Sequence, residues 1–197
     1  GPLLYHESWN KYYLDGMKKI LELRIKDLPV STLEKVVILT DLEYQLTQDS
    51  TGVNQILNNL LLLNPKTNTI VLLPYNIYNK HWVGLIITKD HNDSYQIKYL
   101  DSEVTSMPKQ LIEDLKLVSN NLDIQINISQ GNVEQQKYNN CGPEVVENFI
   151  QALTGSRLPQ EQVVIYHSKL VENDLLTNLY LDDFSIEVLG SNIVQQF

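Results

Sequence analysis

The sequence predicts an α+β fold, and three observations carry that prediction. Between Ile70 and Leu100, three short runs rich in β-branched and aromatic residues follow one another through hairpin-length links. Longer stretches on either side space their apolar residues three and four apart. Finally, the single cysteine, Cys141, stands at the head of one of those periodic stretches. Strands clustered in the middle with helices before and after them imply a central mixed or antiparallel sheet flanked by helices, with a candidate nucleophile at a helix N-terminus.

Trp9 to Leu28 sets Tyr12, Tyr13, Met17, Ile20, Leu21 and Leu23 among Lys, Glu and Asp, and predicts an amphipathic helix ending before Pro29. Ser31 to Leu46 carries conflicting signals: Ser31-Thr32-Leu33-Glu34 fits a capping box, whereas Val36-Val37-Ile38-Leu39 favours a strand. Asp49-Ser50-Thr51-Gly52 predicts a turn, and Val53 to Leu63 a second helix with Ile56, Leu57, Leu60 and Leu61 inward. Ile70 to Pro74 and Trp82 to Thr88 have the length of buried strands. A polar turn over Lys89 to Asp93 leads into Tyr95 to Leu100, where Tyr95, Ile97 and Tyr99 alternate with Gln96 and Lys98.

Pro108 to Leu122 predicts a helix with Leu111, Ile112, Leu115 and Val118 on one face, and Asp123 to Ile128 an alternating strand. A polar loop then delivers Cys141. Behind it, Val145, Val146, Phe149, Ile150 and Leu153 form an apolar stripe, with Glu144, Glu147 and Asn148 elsewhere on the wheel. Pro143 suits the first turn and Gly155 the stop. Gln160 to Leu170 predicts a last helix, while Leu175 to Phe197 mixes apolar bursts with Asp182-Asp183 and predicts no definite element.

Composition narrows the function classes. A chain of 197 residues without a Pro/Gly/Ser-rich linker predicts one domain over 4–197, and Gly1-Pro2-Leu3 reads as a protease-cleavage scar. The apolar runs are too short or interrupted to span a bilayer, so no membrane partner is expected, and the domain is expected to be monomeric. A net charge of −9 argues against nucleic acid and favours a protein partner with a basic surface. One cysteine makes neither an internal disulfide nor a thiolate-rich zinc site, which suits a reducing compartment. The 4 histidines do not cluster at ligand spacing, and HExxH, P-loop, GxGxxG and EF-hand patterns are missing, so neither cofactor nor metal is expected.

A cysteine on the first turn of a helix feels the positive end of the dipole and unpaired N–H groups, both of which favour thiolate. Catalysis by that thiol further needs an imidazole, a group orienting it and donors for an oxyanion. His81 opens one predicted strand and is followed by Trp82; Asp101 closes the next strand and is followed by Ser102. Neighbouring strands lie about 5 Å apart, so His81 and Asp101 are expected within reach of each other. Asp101 then fixes the tautomer, leaving the other ring nitrogen to take the Cys141 proton. Gln135, six residues before Cys141, offers a side-chain N–H₂ beside the Cys141 backbone N–H, with Gln136 as its alternative.

His81-Trp82, Tyr99-Leu100-Asp101-Ser102 and Gln135 through Cys141-Gly142 together resemble the His-Trp, Tyr-x-Asp-Ser and Gln-x5-Cys-Gly signatures of the clan CE ubiquitin-like-protein proteases. That clan includes the SUMO and NEDD8 deconjugating enzymes, the adenovirus protease and bacterial effector deubiquitinases. The resemblance covers Ile70 to Gly155. It implies a cysteine-protease-like catalytic core over 70–155, with a helical part over 4–69 and a C-terminal part over 156–197. By the same likeness His81 is the general base, Asp101 its orienting acid, Cys141 the nucleophile, Gln135 the oxyanion donor, and Trp82 lines a narrow channel for a Gly-Gly tail. Asn140 departs from the Asp usual before the cysteine, and Pro143 from the aliphatic or aromatic residue usual after Cys-Gly.

The implied activity is that of a cysteine isopeptidase acting on ubiquitin or a ubiquitin-like modifier, without a cofactor. The divergence and the Asn-, Lys- and Ile-rich usage suggest a bacterial or viral member, such as an effector working in the cytoplasm or nucleus of a host cell. Two alternatives stand beside it. Some clan members transfer acetyl from acetyl-CoA, although they rely on basic surface for the cofactor, which the −9 charge opposes. The other is a non-catalytic ubiquitin-binding module.

Overall fold

Alternating apolar residues in the middle of the chain build a sheet of five strands in the order β1-β2-β3-β4-β5: β1 Val36–Ile38, β2 Ile70–Ile77, β3 His81–Lys89, β4 Tyr95–Leu100 and β5 Ile126–Gln130. The structure is a computed structural model that describes residues 12, 14–39, 66–77, 81–138 and 140–177. β2, β3 and β4 are antiparallel neighbours, as their short links require, while β1 runs parallel to β2 and β5 parallel to β4. The sheet is therefore mixed. A parallel neighbour needs a crossover, and the helix α3, Lys109–Leu122, lies in the connection from β4 to β5.

Register decides which residues share a face. Leu73 pairs with Leu85 and Leu85 with Tyr99; Val71 pairs with Ile87, Ile87 with Ile97 and Ile97 with Ile128. These rows form one apolar surface, on which α3 buries Leu111, Leu115 and Val118. At roughly 1.5–3 kcal/mol for each large apolar side chain removed from water, this layer is the main stabilising term of the sheet. Ile112, expected on the same face, is half-buried. Asp123 ends α3 in a left-handed conformation, φ 51°, its N–H bonded to the Ser119 carbonyl.

The remaining described elements are helical: α1 Leu14–Ile25, α2 Val30–Leu33, α4 Cys141–Thr154 and α5 Gln160–Thr177. The chain packs as two compact units, one formed by Gly1–Leu33 with Gln136–Phe197, which holds these helices, and one by Glu34–Gln135, which holds the sheet and α3. In the helical unit α1, α4 and α5 pack on one another. Lys19 of α1 pairs with Asp174 of α5 at 2.8 Å. The conflicting signals over Ser31 to Leu46 are both used. A single helical turn starts at Val30, one residue ahead of the proposed cap, with the Pro29 carbonyl accepting from Thr32 and Leu33, and the strand β1 follows.

The expected turn at Asp49 to Gly52, the helix over Val53 to Leu63 and the segment beyond Thr177 lie outside the described residues. Glu144, Glu147 and Asn148, off the apolar stripe of α4, are buried along with it, as is every residue from Cys141 to Ile150. Buried carboxylates require compensation, and the unit supplies it: Arg157 pairs with Glu144 at 2.5 Å, while Arg24 and His167 both pair with Glu147. Asn148 accepts a hydrogen bond from Arg157 at 3.2 Å. Gly155 ends α4 as expected, at φ 85° with its N–H bonded to the Gln151 carbonyl.

Candidate active site

The sheet unit brings His81 and Asp101 together. His81 is the first residue of β3, and Asp101 follows β4 directly. Its Oδ1 lies 2.7 Å from His81 Nε2. An ionised carboxylate only accepts, so Nε2 carries the proton and Nδ1 is the second nitrogen of the ring.

Asp101 is 1% exposed and its acceptor capacity is well used. Oδ1 also accepts the Glu103 N–H at 2.9 Å, and Oδ2 accepts the Thr105 hydroxyl at 2.5 Å and the Tyr99 hydroxyl at 3.5 Å. Burial opposes ionisation, yet the bonds from His81, Thr105 and the Glu103 N–H outweigh it and hold the carboxyl below its ordinary range. Tyr99 shows the converse. Its own burial, with the Asp101 charge beside it, pushes the phenol well above its ordinary value.

The loop that wraps Asp101 is tied to the strand beyond it. Gln130 donates its amide to the Thr105 carbonyl at 3.2 Å, and Gly131 N–H bonds the Tyr99 carbonyl at 2.8 Å. A Cβ at Gly131 would lie 2.5 Å from Leu100 Cδ2, so glycine permits this approach to the residue just before Asp101. A cleft opens here, between Asp101, Val104, Thr105 and Ser106 on one side and Gln130 to Val133 on the other.

The other sequence-predicted residues fall as follows. Trp82 lies next to His81 on β3 and is 5% exposed. Gln135 is exposed on the loop after β5, the last residue of the sheet unit, and Gln136, its alternative, is half-buried. Cys141 belongs to the helical unit, where it is the first residue of α4, a free thiol with 0% exposure. Asn140 caps α4 through its backbone only, its carbonyl accepting the Glu144 N–H at 3.1 Å. The preceding loop is fastened to the start of α5: Lys137 N–H bonds Gln160 Oε1 at 2.9 Å, and its ammonium pairs with Glu161 at 3.3 Å.

Sequence reading passed over Glu103 and Thr105, both in contact with the His81–Asp101 pair. A signal for Glu103 existed, since the antiparallel register of β3 with β4, continued past Leu100, sets it opposite His81. Among the described residues no cluster of His, Cys, Asp or Glu is arranged to hold a metal ion, and no helix is long and apolar enough to cross a membrane.

Comparison with known proteins adds to this geometry. Residues 69–165 match the family described as RickCE-like, catalytic domain. No sequence among curated proteins matches the chain. Among solved structures, a mutant of XopD from Xanthomonas aligns over 81% of this chain and 95% of its own, with 18% identity and a TM-score of 0.51. The C-terminal ULP1 protease domain, in complex with SMT3, the yeast ortholog of SUMO, aligns over 83% of this chain and 78% of its own, with 14% identity and a TM-score of 0.51. The RickCE effector of Rickettsia bellii aligns over 73% of this chain at 18% identity and a TM-score of 0.48, and the chain spans only 56% of that structure's length. The two alignments with a TM-score of 0.51 establish a fold shared with those XopD and ULP1 structures, and residues 69–165 of this chain are similar to the RickCE-like catalytic domain family.

Proposed function

We propose that the chain is a cysteine isopeptidase that cleaves after the C-terminal Gly-Gly of ubiquitin or a ubiquitin-like modifier. Cys141 is the nucleophile, His81 the general base, Asp101 its orienting acid and Gln135 the oxyanion donor; Trp82 narrows the channel for the glycine tail. The observation that carries this reading is the 2.7 Å bond between His81 Nε2 and a buried, ionised Asp101, in a clan CE fold. Because Asp101 takes Nε2, Nδ1 is the nitrogen that receives the thiol proton. The ULP1 structure is a complex with a ubiquitin-like protein, which supports that substrate class. The net charge of −9 suits a basic partner.

The thiolate adds to the carbonyl carbon of the terminal glycine, and the resulting oxyanion is met by Gln135 and the Cys141 N–H. Collapse breaks the C–N bond; the imidazolium hands its proton to the departing lysine amine, and a thioester remains. His81 then deprotonates a water that attacks the thioester, and the proton returns to sulfur as the modifier leaves with a free carboxylate.

Ubiquitin, SUMO and NEDD8 bearing a C-terminal electrophile test the reading. Wild-type protein should form a covalent adduct with one of them, Cys141→Ala with none, and Asp101→Asn should react roughly 10²–10⁴-fold more slowly. Folded wild-type protein that labels with none of the three overturns it.

A further inference from the structure

Two carboxylates face the His81 ring. Asp101 Oδ1 lies 2.7 Å from Nε2, and Glu103 Oε1 lies 3.5 Å from Nδ1. The placement follows from the strand register: Gly84 pairs with Leu100 at the end of the β3–β4 ladder, and continuing it sets Asp101 opposite Val83 and Glu103 opposite His81. The chain then turns instead of extending the strand. Val104 N–H bonds the Asp101 carbonyl at 3.0 Å, and Val104 takes φ 56°, a left-handed conformation that a β-branched residue disfavours. Glu103 thus touches both members of the pair, its N–H on Asp101 Oδ1 at 2.9 Å and its carboxylate beside the ring.

At 3.5 Å the Glu103 contact is long for a hydrogen bond to a neutral ring but close for a charge beside an imidazolium. We propose that Glu103 is a positioning residue for His81, its carboxylate charge beside Nδ1 favouring the imidazolium so that the ring stays charged during proton transfer. The inference rests on the isopeptidase reading for its place in the reaction, since Nδ1 is the nitrogen that takes the thiol proton there. Among the described residues, Asp101 and Glu103 are charged groups that face the ring, with the Tyr99 hydroxyl behind Asp101; across the ladder β2 contributes the uncharged Ile77. Glu103 favours the imidazolium form of His81 and delays its loss as pH rises. The Glu103 side chain is 39% exposed, so solvent limits the effect.

The test is an NMR titration of the His81 ring in the full chain carrying Cys141→Ala, which removes coupling to the thiol. Glu103→Gln should lower the His81 pKa by roughly half to one unit, and Glu103→Asp should restore part of it. A change below about 0.2 unit for Glu103→Gln overturns the proposal, since a charge at that distance must be felt. In the catalytic protein, the alkaline limb of modifier-probe reactivity should move down with the ring. The titration needs no substrate. A normal NMR response without probe reactivity removes the isopeptidase reading alone, and probe reactivity without the NMR response removes the Glu103 role alone.

Discussion

Arg24→Met probes the packing behind the helix that begins at Cys141. Arg24 on α1 forks onto Glu147 on α4, with Nε 2.9 Å from Oε2 and Nη2 2.9 Å from Oε1; the side chains are 13% and 0% exposed. His167 adds a contact at 3.0 Å. Burial pushes the Glu147 carboxyl up, but the bonds from His167 and Arg24 outweigh it and hold the group at about 2, against an ordinary 4.5. That gap corresponds to ~3 kcal/mol at neutral pH, and removing one partner of a buried pair costs about 3–5 kcal/mol. Arg24 supplies only part of the effect, so the expected loss is about 2–3 kcal/mol.

The folded carboxyl has the lower pKa, so its contribution is present above 4.5 and is lost as pH falls towards about 2. In Arg24→Met the stranded carboxylate protonates more readily, and the deficit shrinks on acidification. Urea denaturation followed by circular dichroism at neutral pH and near pH 4 measures both effects. Adding Glu147→Gln, which removes the charge but keeps an acceptor for His167, should restore about half of the loss. A loss under about 1 kcal/mol at neutral pH, or one that does not change with pH, refutes the reasoning.

His167 has 0% exposure, accepts from the Tyr12 hydroxyl through Nδ1 at 2.7 Å and donates through Nε2 to Glu147. Burial, against the pull of Glu147, holds this imidazole below its ordinary 6.5, so the unfolded chain gains a proton first and stability falls as pH drops through 6.5. Denaturation at about pH 7.5 and about pH 5.5 should differ by ~1 kcal/mol more in wild type than in His167→Gln; equal differences refute it. Gly155→Ala places a Cβ with no atom within 4 Å but at φ 85°, so it should cost ~1 kcal/mol by conformational strain alone, and a neutral result refutes that attribution.

The sheet was legible because period-two alternation is local, and the runs at Ile70, Trp82 and Tyr95 are separated by links that permit only antiparallel neighbours. The β3–β4 hairpin made the approach of His81 to Asp101 legible too, since both stand at the same end of neighbouring strands. The parallel edges were not legible. β1 and β5 join by crossovers, and a β-branched run such as Val36–Ile38 favours a strand without saying which neighbour it pairs with or in which direction. Nor was the burial of Glu144 and Glu147, because their partners Arg157, Arg24 and His167 are supplied by other segments of the chain.

From its residue order alone the chain determines that the runs at Ile70, Trp82 and Tyr95 are strands, where α4 stops, and that a histidine and an aspartate share one end of a hairpin, because periodicity, glycine conformation and strand spacing act over a few residues. Tertiary structure decides what those residues experience. It places Asp101 Oδ1 on Nε2 rather than Nδ1, brings Glu103 to the second nitrogen, and turns the carboxylates of α4 into buried ion pairs. Each of these depends on the dielectric and the charges around a side chain, and both are set by segments distant in sequence.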